Sequence, residues 1–382
     1  MRIALLSQSF NKGMGQARVN YELCRGLLSE GFQLEVFSSS VAAELLTAKN
    51  LEWVKLPWPR KAGNFIANFC FAIFASLKLQ NRRRDISLLH GNGFVSFCRM
   101  DLNTVHFVHS SWLNSPFHTL KVQPNCFGLY HWIYTWLNAK LELISFRNSK
   151  VLVAVSELVK EELLSLGLNS ERIKVIPNGV DLSEYKPGPA NRKELGLPES
   201  VRLALFVGEI KTPRKNLETC FRAIKQIPDF HLAVAAADFK SSIYPELAKD
   251  LGIESRVHFL GYRNDIADLM RSSDCFLFPS RYESSGLVLL EALASGLPVF
   301  TAKTVGVSDL VDKAGGCILE NPDDYETLAQ AVIDLFDSNK NLSRAKLFAR
   351  QVAEAYGWEN MVESYCKLYK EQLAQIKHEQ SV

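Results

Sequence analysis

Pro-Asn-Gly-Val-Asp-Leu-Ser-Glu-Tyr-Lys-Pro-Gly-Pro, residues 177–189, decides how the chain divides. Three prolines and two glycines in thirteen residues break any helix or central strand, so the stretch reads as a linker or hinge. Before it, short apolar runs alternate with helical patterns. Strands are expected at 2–9, 32–37, 86–90, 102–109 and 151–155. Helices are expected at 17–29, 64–80, 128–147 and 157–166, with Gly31 closing the first and Ser156 capping the last. After it the alternation restarts, with strands at 203–207, 231–236, 257–260, 275–278, 298–301 and 316–319. Two long helices follow, near 340–355 and 358–376. Repeated βα units with apolar strands indicate parallel sheets covered on both faces. The chain therefore reads as α/β, with two doubly wound, Rossmann-like domains at 1–180 and 190–355 and a helical tail at 356–382. Ligands in such folds bind at the C-terminal edges of the strands, which for two facing sheets means the cleft between domains.

The length, 382 residues, fits two domains, and 47 % hydrophobic with 22 % charged residues excludes disordered and collagen-like classes. The net charge of +3 argues against a dedicated nucleic-acid binder. It is unevenly placed: residues 1–180 hold 20 Lys/Arg and 12 Asp/Glu, the remainder 24 and 29. A basic half joined to an acidic half implies different partners. The eight cysteines form no C-x-x-C pair and no zinc-ligand spacing, which fits small core residues in a reducing cytosol. The N-terminus is too briefly apolar for a signal peptide, and the longest apolar stretch, 65–77, is too short to span a bilayer. A cytoplasmic protein is expected.

Chemistry concentrates in four places. In C-F-L-F-P-S-R-Y-E-S-S-G-L-V-L-L-E-A-L-A-S-G-L-P-V (275–299) a buried strand, a polar loop and a helix follow one another. Glu291 lies within the apolar helix, and an unpaired buried carboxylate costs several kcal/mol. A ribose diol would satisfy it, and so would a structural ion pair. The helix start near Ser285–Val288 is a natural anion site. In L-A-L-F-V-G-E-I-K-T-P-R-K-N-L-E-T (203–219), Gly208 allows a tight turn. Lys211, Arg214 and Lys215 then set cations at a strand end, where they meet either a diphosphate or solvent. G-M-G-Q-A-R (13–18) approaches the dinucleotide fingerprint, but Arg18 stands where its third glycine belongs, and no acid ends the second strand. NAD binding is therefore disfavoured; a glycine loop near a ligand and a plain tight turn both remain open. His106 and His109 end a strand at the ligand edge, where a structural and a catalytic role are both open.

The ordered set resembles the GT-B glycosyltransferases, and within them the retaining glycosyltransferase family 4. The resemblance rests on G-M-G-Q-A-R, V-S-E-L-V-K-E-E-L (155–163), I-P-N-G-V-D-L-S-E-Y (176–185), V-G-E-I-K-T-P-R-K-N-L (207–217), V-H-F-L-G-Y (257–262) and the E-x(7)-E pair Glu283/Glu291. It implies that Glu291 holds the ribose of a nucleotide-sugar donor and that Glu283 contacts hydroxyls of the transferred sugar. Gly286 and Leu287 would offer backbone amides, with Ser285 beside them. Lys215 matches the family's diphosphate lysine, Tyr262 would meet the base, and Gly15 would approach the diphosphate. His109 or His106 would lie near the reacting centre. The final helix would cross back to the N-terminal domain. Two positions depart from the family. Glu209 stands where an arginine is usual, so Arg214 or Lys211 is expected to supply the missing charge while Glu209 points away. Ser284-Ser285-Gly286 replaces the usual aromatic-glycine.

The resemblance further implies sugar transfer from a nucleoside-diphosphate sugar to an acceptor hydroxyl with retained configuration, without metal or other cofactor. The acceptor would be a glycan, a lipid-linked saccharide or a small molecule. A nucleotide-sugar epimerase of the same architecture and a catalytically silent sugar-binding homologue are the alternatives. Residues 59–84 read either as a core helix with a solvated basic end, the favoured reading, or as a peripheral contact with an anionic membrane. The aromatic-rich run 112–136 would shape an acceptor pocket or belong to the domain core.

Overall fold

The computed structural model describes residues 2–381 except Met14, Arg60, Ala62 and Ala190; side chains beyond residue 376 are outside the description. Two compact units emerge. The first comprises residues 1–115, 129–179 and 358–382, and the second 116–128 and 180–357.

The first unit is built on seven parallel strands: β1 Arg2–Leu6, β2 Gln33–Ser38, β3 Leu51–Lys55, β4 Leu88–Asn92, β5 Met100–Val105, β6 Ser149–Ala154 and β7 Ile173–Val175. Their order is β3-β2-β1-β4-β5-β6-β7, with Ile3 set between Leu34 and Leu88. The crossovers carry helices α1 Gln16–Ser29, α2 Asn64–Arg82, α3 His109–Asn114, α4 Cys126–Arg147 and α5 Glu157–Ser165. Ser156 caps α5, its hydroxyl accepting from the Val159 amide at 3.2 Å. Such a cap contributes about 1 kcal/mol.

The second unit repeats the plan with β8 Arg202–Val207, β9 Phe230–Ala235, β10 Val257–Phe259, β11 Cys275–Phe278, β12 Val299–Ala302 and β13 Cys317–Leu319. Their order is β10-β9-β8-β11-β12-β13, again all parallel. Its main helices include α6 Leu217–Gln226, α7 Leu287–Ala294 and α8 Asn339–Glu354. In α6, Leu217, Cys220, Phe221 and Ile224 recur at helical spacing and are wholly buried. In both sheets the first and fourth strands in sequence lie side by side. That is the topological switch point of a doubly wound fold, where the loops part to leave a ligand crevice.

The last helix, α9 Trp358–Ser381, returns to the first unit and packs on α1. A buried polar chain fixes it. Tyr369 Oη meets His90 Nδ1 at 2.5 Å, His90 Nε2 meets Thr104 Oγ1 at 2.8 Å, and Thr104 meets Tyr365 Oη at 2.9 Å. Burial pushes His90 down to about 3, so it packs as a neutral imidazole.

Strand β5 ends at Val105, earlier than expected, so His106 lies past the strand and His109 opens α3. The strands β3 and β7 are not expected from the sequence: Glu52 and Lys55 interrupt the apolar residues of β3, and β7 is only three residues long. Among the described residues, no helix is long and apolar enough to cross a membrane.

Candidate functional site

The loops after β8 and β11, neighbours at the switch point of the second sheet, carry a dense charge cluster. After β8 the chain turns at Gly208, whose amide donates to the Ala235 carbonyl at 3.2 Å. A Cβ there would sit 3.4 Å from Lys215 Cγ, in ordinary contact with the lysine stem that folds back over the strand end. Pro213–Lys215 forms a single tight turn, and Asn216 follows it at φ 58°. Asparagine tolerates this left-handed conformation better than most residues. Its buried amide donates to the Pro279 and Pro322 carbonyls at 3.0 and 2.7 Å and to Asp323 at 3.1 Å. Arg281 braces the same turn, bonding Asp323 at 2.8 Å and the Pro213 carbonyl at 3.0 Å.

This frame aims two cations at one carboxylate. Lys215 Nζ bonds Glu283 directly, and Arg214 Nη1 lies 3.4 Å from it. The lysine and glutamate side chains are only 12 % and 20 % exposed, so the pair is weakly screened. Burial alone raises the Glu283 carboxyl, but Lys215, Arg214 and the Gly286 amide more than offset this and hold it below the usual range. Burial, with Arg214 alongside, lowers Lys215. Glu283 is also pinned through its backbone, its amide bonding Thr304 and its carbonyl accepting from Gly306, at 3.0 and 2.8 Å.

Three residues on, Gly286 adopts φ +88° and starts α7. A Cβ would lie 2.8 Å from Val305 Cγ1, so this turn requires glycine on both counts. Leu287 opens the helix, and the buried Ser284 and Ser285 directly precede Gly286. Glu291 is half-buried on a helix whose Leu289, Leu290, Ala292 and Leu293 are wholly enclosed. Tyr262, after β10 on the far side of this sheet, is 62 % exposed.

The two candidates for the missing charge part company. Lys211 is 66 % exposed and paired with Asp238 at 2.8 Å, whereas Arg214 faces Glu283. Glu209 is exposed and turned back on its own loop, accepting from the Lys211 amide and, at 3.2 Å, from Thr212.

In the first unit, Gly15 has φ +65° and caps α1, while Arg18 bonds Glu22 at 2.8 Å rather than entering the loop. His109 Nδ1 meets Glu142 Oε1 at 2.8 Å, and its backbone amide donates to Oε2 at 3.1 Å. Phe107 and Tyr134 pack edge-on to the ring. Burial holds His106 down at about 4. Residues 116–128 group with the second unit, where Phe117 lies 5.2 Å from the Arg281 guanidinium. Among the described residues no three His, Cys, Asp or Glu side chains cluster as a metal site.

Glu142, Asn216, Arg281 and Asp323 were not foreseen. Glu142 carried a readable signal, as the one acid in a 22-residue helix otherwise without acids. Asn216 carried a weaker one, an asparagine directly before a helix.

Two family models cover the chain between them. That described as Glycosyltransferase Family 4 matches residues 14–184, and that described as Glycosyl transferases group 1 matches 188–352. An uncharacterized glycosyltransferase of Methanocaldococcus jannaschii is 25 % identical over 371 residues, 91 % of this chain and 92 % of that protein. The D-inositol 3-phosphate glycosyltransferase of Mycobacterium marinum is 33 % identical over 211 residues, 52 % of this chain and 45 % of its own. The chain thus spans about half the length of the inositol-phosphate enzymes it matches. Among solved structures, sucrose-phosphate synthase from Thermosynechococcus elongatus superposes with a TM-score of 0.79 at 20 % identity, over 98 % of this chain and 99 % of its own. Anabaena HepE in complex with UDP-glucose gives 0.70 at 19 % identity, over 97 % and 100 %. These likenesses establish the fold, and the family models the kinship: the chain belongs to the family 4 type of glycosyltransferases and has the GT-B fold.

Proposed function

We propose that this glycosyltransferase moves a sugar from a nucleoside-diphosphate sugar to an acceptor hydroxyl with retention of anomeric configuration. The observation that carries the proposal is the Lys215–Glu283–Arg214 cluster at the switch point of the second sheet, beside the Gly286 turn into α7. Negative charge grows on the leaving diphosphate in the transition state. Lys215, Arg214 and the amides at Gly286 and Leu287 stabilise it, a preorganised electrostatic contribution. Arg214, not Lys211, supplies the charge absent at Glu209. Glu283 orients the sugar hydroxyls, Glu291 takes the ribose, Tyr262 covers the base, and Ser285 and Gly208 leave room for the ligand. From the first unit, Gly15 approaches the diphosphate. His109 serves the reacting centre, because Glu142 fixes its ring through Nδ1 and leaves Nε2 for a partner. His106, held neutral, lines the same strand end. The charge is met without a metal or other cofactor. HepE, solved with UDP-glucose, supports a donor of this class.

The acceptor is proposed to be a glycan or lipid-linked saccharide, met in the cytoplasm with residues 59–84 against the membrane surface. The test is release of nucleoside diphosphate from UDP-, GDP- and ADP-sugars with candidate acceptors, with the product's anomeric configuration read by NMR. Arg214→Ala should lower kcat by about 10²-fold, and Lys211→Ala should leave it near wild type. The reverse pattern would overturn the charge assignment, and an epimerised donor without transfer would overturn the transferase reading.

A further inference from the structure

Helix α4 is built inside out. Its buried face carries Thr135, Asn138, Glu142 and Ser145, spaced 3, 4 and 3 residues apart. Each is satisfied: Thr135 and Asn138 by carbonyls of their own helix, Glu142 by His109, and Ser145 by Asn103 at 3.0 Å. The opposite face presents Leu129, Trp132, Ile133, Trp136 and Ile144 to solvent, with Trp136 41 % exposed. Surface helices of soluble proteins show the reverse pattern. Helix α2 buries Phe71, Ala75 and Leu79, yet its outer stripe is also apolar: Ile66, Phe69, Ile73 and Leu77, the last 53 % exposed.

The two stripes belong to one side of the first sheet. Both helices carry crossovers in the same direction across the strand order, β3 to β4 and β5 to β6, and right-handed crossovers put such helices on one face. The β4–β5 loop ties them together. Ser76 of α2 bonds Ser96 at 3.0 Å, and Ser145 of α4 bonds the Gly93 carbonyl at 3.0 Å. Phe97 of that loop is exposed and packs edge-on to Phe69.

Within the two segments that carry these stripes, the exposed charge has one sign. No Asp or Glu lies between Glu52 and Asp85, and between Asp101 and Glu157 the only one is Glu142, which is buried on His109. Lys61, Lys78, Arg84, Lys140 and Arg147 are exposed in the same stretches. Apolar stripes with indole rings and a cationic fringe match the headgroup layer of an anionic bilayer. A second copy of the same face would set like charges against each other.

We infer that α2 and α4 together form a docking face for an anionic lipid bilayer, with the outward indoles of α4 as its anchor. This rests on the membrane contact proposed for residues 59–84 and widens it to a helix outside that segment. The test is flotation of the full chain with vesicles of phosphatidylcholine alone and of phosphatidylcholine with phosphatidylglycerol. Salt-sensitive flotation with the anionic vesicles alone is expected. Trp132→Gln with Trp136→Gln should weaken it about tenfold, while Leu347→Gln, a surface change in the second unit, should leave it intact. Unchanged melting temperature in each variant controls for folding. If Ile73→Gln with Leu77→Gln abolishes flotation and the Trp pair has no effect, the role of α4 is overturned and the 59–84 contact stands alone. No flotation, with light scattering showing a dimer that the Trp pair dissociates, overturns the bilayer in favour of self-association. Neither readout depends on sugar transfer.

Discussion

Lys215 pairs with Glu283, and the diphosphate of the proposed donor would compete for the same ammonium. Removing the lysine therefore acts on both states. Lys215→Met leaves a mostly buried carboxylate with Arg214 as its remaining cation, and should cost about 1–3 kcal/mol. That is less than a fully buried pair would lose, because Glu283 keeps some solvent and a second partner. Denaturant unfolding of the variant measures it. The pH dependence has a definite sign. The folded-state pKa of Glu283 is depressed, so its contribution is full above the unfolded value near ~4.3 and is lost as pH falls through the folded value. His90 and His106 act in the same direction over a higher window. Burial depresses them to about 3 and about 4, so folding stability should fall as pH drops below the unfolded histidine value of ~6.5. Unfolding curves at several pH values read the slope, and His90→Asn should flatten it even while lowering stability overall.

At the scale of elements, two connections matter most. Gly286 starts α7 from a left-handed conformation with Val305 behind it. Gly286→Ala should destabilise by about 1–3 kcal/mol and weaken donor binding by turning the helix start away; calorimetry with the donor reads the second effect. The docking of α9 depends on the Tyr369–His90–Thr104–Tyr365 chain. Tyr369→Phe leaves a buried ring nitrogen without its partner and should cost about 1–3 kcal/mol, measured by denaturant unfolding. The sequence revealed the elements better than their partners. Apolar runs such as Leu205–Val207 and Cys275–Phe278 announced strands, and Gly286 and Gly296 marked the ends of α7. The E-x(7)-E spacing and the lysine after Pro213-Arg214 were equally plain. Strand order and the polar chains were not, because they join residues far apart: His90 and Tyr369 are separated by 279 positions, His109 and Glu142 by 33. The aromatic run 112–136 fits a pocket or a core by sequence, yet Trp132 and Trp136 face outward. Apolarity alone does not say which face of a helix is covered.

At the scale of the whole molecule, the uneven charge has a structural reading. Much of the basic excess before residue 180 surrounds α2 and α4, while the second unit places its few decisive cations, Arg214 and Lys215, in one turn. Bulk charge suits a surface; placed charge suits a diphosphate. Both sheets set their first and fourth strands side by side, so each unit has its switch point, where such folds bind ligands, at the same place in its topology. In the second unit Glu283 meets its two cations there. The most direct test of this account is a thermal-shift panel of UDP-, GDP- and ADP-sugars on the wild type and Lys215→Met. At a hundredfold excess over its Kd, the right donor should stabilise the wild type by about 2.7 kcal/mol, and the variant much less. No shift with any donor, or an equal shift in both proteins, would contradict a donor site built on Lys215 and Glu283.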